Sequence, residues 1–559
     1  MSETDRDEPG FETPLARFAP FILGAAIAAS AVITMRLGRG ATFTGDEIIW
    51  VVASPGMDLG TALQAHAGHL QLIPRAIYKL MLETVGLTYW PYRLLTVISM
   101  ALVSVLLYRY VKRRTGAAVA LIPSVLLLFF GSDSLHVIQG NGFTILFSVA
   151  CGIAALLALD RRDLKGDLLA CALLVCGVAT YTVALPFVAG VGLAILISRS
   201  WRRLWIPAVP LLLYGGWRIW IELASTESRG GTLDLANVVH IPEWIFDSLS
   251  AILSAITGFG YGFTATTATG PHELIGPALA ACALVAVGWR LSRGSIGSGV
   301  WVTMAIGFSL WTIQCLAADP SLAGYRAPSD PRYLYPGAVV VFMIAAELCA
   351  GKRWSRTAFV AVAAVAVFGI ASNIAQLREY GSIARSDARE VTLGVTAAGI
   401  YFDEEIGKRV GPSRESVTAR GAASIIASMA LRPYGGIDYS PAEIETLPES
   451  ERARIDRQLA GFQKIALAED GLPTGRCRRL GRSPDGVYES PLPPGRAVIV
   501  APDRPERVGI ARFAETETVD LGEIPAGARR SVVTPVPVDG PPWRVSVSRA
   551  GAKICPAGQ

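Results

Sequence analysis

Charge is scarce in this sequence: 17% of its 559 residues are Asp, Glu, Lys or Arg, while 52% are hydrophobic and the mean hydropathy is +0.42. That balance excludes an ordinary soluble protein and predicts a membrane protein. Long basic tracts are missing too. The net charge is only +5 and the arginines fall in short clusters between apolar runs, which argues against nucleic acid as a partner. Beyond Leu377 no apolar run is long enough to cross about 30 Å of hydrocarbon, so the C-terminal part reads as a separate soluble region. No convincing small-residue cleavage site follows the first apolar run, which therefore reads as an uncleaved span behind a mixed-charge segment, residues 1–17. No internal repeat is visible.

Cysteine is also sparse. Cys151, Cys171, Cys176, Cys282, Cys315 and Cys349 lie in or beside apolar runs, where a thiol packs as a small hydrophobe. Only Cys477 and Cys555 belong to the tail, the arrangement expected of one disulfide in an oxidising compartment, with two free thiols as the alternative.

Basic clusters mark cytoplasmic ends of spans. Here they are Lys112-Arg113-Arg114, Arg161-Arg162 with Lys165, Arg199 with Arg202-Arg203, Arg290 with Arg293, and Lys352-Arg353 with Arg356. The loops between them, 131–142, 225–243 and 317–331, are poor in lysine and read as outer loops. Counting from a cytoplasmic N-terminus predicts 11 spans, near 18–36, 92–111, 117–131, 142–159, 167–182, 184–198, 203–222, 273–291, 299–317, 333–350 and 357–377. The glycine- and threonine-rich segment 245–270 reads as re-entrant or interfacial, a twelfth crossing being the alternative. Eleven crossings put the tail outside, at the plasma membrane of a multi-pass protein. The expected fold is therefore an α-helical polytopic membrane domain over 18–377 with a large first outer loop at 37–91. An extracytoplasmic mixed helical segment follows at 378–483, then a small β-sandwich at 484–559.

In the tail, 386–410, 421–431 and 449–462 read as helical. Short β-branched runs at 497–500, 507–513, 531–533 and 543–548, punctuated by Pro and Gly, predict the sandwich. Trp543 and Tyr488 can either stack on a sugar ring or fill a core.

The first outer loop holds most of the informative residues, and loops of this length are usually functional. Asp46 and Glu47 stand side by side after Gly45. Leu63, Ala67, Leu70, Ile77 and Met81 then recur at helical steps, predicting an amphipathic helix over 63–81 at the membrane surface, bent at Pro74, with His66, His69, Gln71, Arg75 and Lys79 on its polar side. An acidic pair beside histidines and cations suits sugar transfer from a lipid phosphate: a carboxylate takes the acceptor proton while cations stabilise the departing phosphate. Asp46 or Glu47 is the candidate base and Arg75 a candidate phosphate partner. His66 and His69 lack a third metal ligand, so substrate or carboxylate binding is expected of them and no metal is assigned. The alternative for the acidic pair is simple solvation at the interface. Asp133, His136 and Gln139, with Asn141, crowd a second outer turn and either face the same cavity or are solvated. Arg332 and Tyr333, with Arg326, Asp330 and Tyr335, precede the tenth span; Arg332 is a candidate for lipid phosphate, with interfacial anchoring as the alternative.

This plan, Gly45-Asp46-Glu47 outside the first span and then a long loop with His66-Ala67-Gly68-His69-Leu70-Gln71-Leu72-Ile73-Pro74-Arg75, resembles the GT-C glycosyltransferases. It is distantly similar to the protein O-mannosyltransferase branch, whose Asp-Glu pair is followed by a His-Pro-Pro segment that this chain lacks. The resemblance implies a membrane glycosyltransferase with Asp46 as base and Glu47 in support. The substrates implied are a polyprenyl-phosphate-linked sugar as donor and an envelope glycan, lipid or protein as acceptor, with membrane lipid around the protein and no certain cofactor. The competing readings are a lipid or glycan flippase or transporter, and a non-catalytic scaffold of the same fold.

Overall fold

The computed structural model describes residues 12–66, 68–224, 233–259, 274–294, 296–318, 327–403, 431–469, 473–483 and 486–556. Arg326, most of the helix expected at 421–431, and 260–270 of the segment expected to re-enter lie outside them. Contacts divide the chain into two units, Met1–Trp50 with Gly56–Ser386, and Val51–Pro55 with Asp387–Gln559.

The first unit is helical. Its elements are α1 (Glu12–Leu37), α2 (Asp46–Ala53), α3 (Leu59–Ala62), α4 (Leu72–Val85), α5 (Tyr89–Thr115), α6 (Ala117–Leu128), α7 (Ser134–Ile138), α8 (Phe143–Leu159), α9 (Leu164–Thr180) and α10 (Leu185–Ile197). They continue as α11 (Trp205–Ala224), α12 (Ile241–Thr257), α13 (Ile275–Ser292), α14 (Ser298–Leu316), α15 (Pro331–Leu348) and α16 (Arg356–Tyr401). Each of the eleven expected spans falls on a helix. Among the described residues, however, only seven helices are both long and apolar enough to cross a membrane, so the count of eleven is not carried by length and composition. Ala117–Asp133 and Thr182–Ile197 are apolar but shorter.

Helix ends follow local chemistry. At the end of α5, Lys112, Arg113 and Arg114 face the negative pole of the helix, and Gly116 at φ 94° stops it. Asp330 caps α15, accepting from the Arg332 backbone N–H at 3.2 Å, with Pro331 at the first helical position, where its missing N–H costs nothing. One continuous core joins residues of α5, α6, α8, α9, α10, α12, α14 and α15, including Leu107, Leu127, Val149, Phe187, Ile306 and Tyr335.

The loop between α1 and α5 departs from the expected helix. Residues 63–66 and 68–71 are not helical, and α4 begins only at Leu72. Two features explain this. His66 and His69 exchange backbone hydrogen bonds of 3.1 and 2.9 Å across a tight turn in which Gly68 takes φ 83°, a region hostile to side chains. Pro74 then lies in the first turn of α4, where no N–H is needed, so it marks a start and not a bend. The buried face of α4 runs through Pro74, Tyr78 and Leu82, one position away from the expected Ile77 and Met81.

In the second unit, α16 continues through the boundary expected at 377/378, and the helices α17 (Pro441–Thr446) and α18 (Glu449–Phe462) follow. Nine strands follow among the described residues: β1 (Arg478–Arg479), β2 (Gly481–Arg482), β3 (Tyr488–Pro491), β4 (Gly495–Val500), β5 (Glu506–Ala511), β6 (Val519–Ile524), β7 (Arg529–Thr534), β8 (Arg544–Val547) and β9 (Lys553–Pro556). They form two antiparallel sheets, ordered β1-β9-β4-β7 and β2-β3-β8-β5-β6. Alternate residues of both sheets, among them Ile499, Val532, Ile554, Val508, Val545 and Val547, share one core with Leu393, Ile455 and Leu459. The four expected strands fall on β4, β5, β7 and β8. Trp543 is 2% exposed and donates to Gln463 Oε1 at 3.0 Å, which makes it a core residue. Cys477 and Cys555 are joined by a disulfide.

Candidate functional site

Asp46 and Glu47 occupy the first turn of α2, so they point in different directions. Glu47 is fully buried and accepts from the Tyr78 and Tyr89 hydroxyls, both at 2.7 Å. Burial pushes its carboxyl up to about 7, although these two hydroxyls and the Thr44 and Asn141 backbone N–H groups work the other way. Its surroundings leave no spare room: a Cβ on Gly140 would stand 2.6 Å from Glu47 Oε1. Glu47 is thus a strut that ties α2 to α4 and α5.

Asp46 faces the other way. Its side chain is 53% exposed, and Oδ1 lies 3.2 Å from His66 Nε2. The His66 imidazole, with Arg332 and His136 contributing by charge, holds its carboxyl below the usual range against a smaller desolvation penalty. His66 is placed by the tight turn and by edge-on contact with Trp50, ring centroids 5.8 Å apart.

Asp46 opens on a cavity of about 590 Å³ within the helical unit, together with His69, Arg332 and Tyr333. His69 Nδ1 is 2.8 Å from the Thr182 hydroxyl, and its ring lies 4.4 Å from that of Tyr181. Arg332 is aimed by Asp330, whose Oδ1 accepts from Nε at 2.9 Å, so one carboxylate both caps α15 and orients the guanidinium. Sequence reasoning missed the rest of the wall. Gln71, Tyr181, Thr182, Tyr214, Arg218 and Gln314 supply polar groups, while Val183, Leu185, Pro186, Leu233, Leu310 and Ile313 supply an apolar side. The available signal was Arg218 with Glu222, an ion pair of 2.7 Å in the otherwise apolar α11.

The remaining expected residues lie elsewhere. Arg75 spends its guanidinium on the carbonyls of Thr61, Ala62 and Gln64, at 2.6, 3.3 and 2.9 Å, and does not line the cavity. These carbonyls lie at and just beyond the C-terminal end of α3, where a helix has spare acceptor capacity, which explains why a cation is held there. Asp133 and His136 are buried and meet each other at 2.7 Å, so this turn is not solvated, and neither lines the cavity. Gln139 is buried and donates to the Thr44 and Tyr380 hydroxyls, each at 3.1 Å. Among the described residues no three His, Cys, Asp or Glu side chains converge as metal ligands would.

Residues 72–219 match the family model described as dolichyl-phosphate-mannose-protein mannosyltransferase. The match starts at α4 and ends in α11, after Asp46, His66 and His69. No curated protein sequence matches the chain. Among solved structures, ArnT from Cupriavidus metallidurans bound to undecaprenyl phosphate is similar with a TM-score of 0.43 at 13% identity, over 73% of this chain and 87% of that one. The apo form of the same protein gives 0.43 at 11% identity, over 74% and 85%. The family match is thus confined to α4 through α11 of a helical unit whose long apolar helices are those of a membrane protein, and residues 72–219 are similar to the mannosyltransferase family over that stretch.

Proposed function

We propose that the protein moves a sugar from a polyprenyl-phosphate donor to an envelope glycan, lipid or protein outside the cell, with Asp46 as general base. The observation that carries this reading is the contrast within the acidic pair: Asp46 opens on a cavity that also holds two guanidiniums and an apolar side, whereas Glu47 is sealed behind it. In an inverting transfer the acceptor oxygen attacks the anomeric carbon and the bond from that carbon to the phosphate oxygen breaks. The electron pair leaves on the phosphate, and the acceptor proton passes to Asp46. An ionised carboxylate is the form required, and His66 favours it. Arg332, aimed by Asp330, is suited to the phosphate, because a guanidinium matches two phosphate oxygens at once. The apolar side of Val183, Leu185, Pro186, Leu310 and Ile313 suits an isoprenoid chain. The reading places the N-terminus in the cytoplasm and the β-rich tail outside.

Purified protein reconstituted in lipid with labelled polyprenyl-phosphate sugars tests it. Wild type is expected to transfer label, and Asp46→Asn to be inserted and folded but inactive. Normal turnover by Asp46→Asn removes Asp46 as the base, and redistribution of lipid between leaflets without transfer replaces the enzyme by a flippase.

A further inference from the structure

Two side chains in the cavity wall take no part in the transfer step. Gln71 stands at the cap position of α4, 3% exposed, and Gln314 near the end of α14, 7% exposed. Both line the cavity, and Oε1 of each is buried without a hydrogen-bond partner among the described residues. The ordinary employment of a polar cap residue is a bond to the helix's own N–H groups, and Gln71 makes none. A buried amide oxygen without a partner is costly, so its retention at two places in one cavity wall points to a ligand that supplies the partner.

We propose that Gln71 and Gln314 form a subsite for the hydroxyl groups of an uncharged sugar on the lipid-linked donor. The inference rests on the donor reading above and narrows its substrate class. A carboxamide offers two N–H donors and a carbonyl acceptor, and a hydroxyl both gives and accepts, so the two groups are matched without any net charge. The charged groups of the cavity already have counter-charges: Arg332 has Asp330, Arg218 has Glu222, and Asp46 has His66 alongside. Tyr181, packed against His69, and Tyr214 add aromatic faces to the same wall, suited to the C–H face of a sugar ring. A site that hydrogen-bonds hydroxyls rejects a ligand lacking them because its own buried groups are then left unpaired.

The test compares two probes, polyprenyl phosphate carrying a neutral hexose and bare polyprenyl phosphate, binding to the full chain in lipid nanodiscs. Wild type is expected to prefer the hexose-bearing lipid. Gln71→Leu and Gln314→Leu should each lower that preference by about fivefold to tenfold, the range of one hydrogen bond, and leave the bare lipid unchanged. Equal binding of both probes by wild type, an unaltered preference in both variants, or parallel loss of both lipids in both variants overturns the subsite. Its failure is separable from that of the transfer reading. Sugar preference that the variants reduce, without turnover in wild type, keeps the subsite and sinks the transferase; turnover with unaltered preference in both variants does the reverse.

Discussion

The tail and the first outer loop both bury carboxylates, yet they use them differently. In the tail, Asp456 is 1% exposed and accepts from the backbone N–H groups of Arg512, Phe513 and Ala514 at 2.8 to 3.0 Å. Glu506 accepts from Ser548 and Arg549 in the same manner. Glu449 collects the N–H groups of Glu515, Thr516 and Glu517, which outweigh its desolvation and draw its carboxyl down to about 2. Asp456 and Glu449 hold a loop against α18, on which both lie, and Glu506 ties β5 to the residues that follow β8. In the first outer loop Glu47 follows the same pattern with phenolic donors, while Asp46, its neighbour in sequence, stays half exposed at a cavity. Burial of an acid is therefore no mark of chemistry. An acid that keeps one side open, next to a cavity with cations, is.

The sharpest way to break that contrast is Asp46→Asn, expected to cut turnover by about 10²-fold to 10⁴-fold, the usual weight of a general base, with unchanged insertion. Turnover within a few-fold of wild type would put Asp46 in the structural class with Glu47. Asp456→Ala should act on stability alone. It strands three buried N–H groups at a cost on the order of 3 kcal/mol or more, and hydrogen exchange at Arg512, Phe513 and Ala514 should accelerate while sugar transfer is retained.

Glu47→Gln addresses the strut. Its folded value of about 7 lies above its ordinary 4.5, so the stability it contributes is fully present below 4.5 and is lost as pH rises through 7. Wild type should be less stable at pH 8 than at pH 4.5 by about 3 kcal/mol from this group, and melting curves of Glu47→Gln should lack that component. The gentlest change is His66→Gln. Removing the chief cause of the low Asp46 value lets it rise, so the acid limb of the pH–rate profile should move to higher pH with the plateau largely retained. An unmoved limb would mean that His66 does not act on Asp46.

Much of this was legible in the chain. The apolar runs fall on a helix at each expected span, and seven helices among the described residues are long and apolar enough to cross a membrane, because a run of about twenty apolar residues has few other uses. β-branched alternation found β4, β5, β7 and β8, whereas β1, β2, β3, β6 and β9 are short, charged or proline-bearing and carry no period to read. The site was half legible. Asp46, His66, His69 and Arg332 stand out as polar residues where polar residues are expensive. Gln71, Thr182, Tyr214 and Gln314 do not, since each sits in a segment whose pattern is explained without it. Arg75 was misassigned for a related reason: a cation in a loop looks free until the helix end that needs it is in place.

What the sequence alone determined is the kind of molecule, a helical membrane protein with a β-rich tail, and the short list of acids and cations worth attention. Hydropathy and period are local sums, and they survive without knowledge of neighbours. Only the tertiary structure shows how differently Asp46 and Glu47 are placed. Two adjacent carboxylates have the same chemistry on paper; the orientation of α2 seals one between Tyr78 and Tyr89 and opens the other on the cavity, because consecutive residues of a helix face about 100° apart.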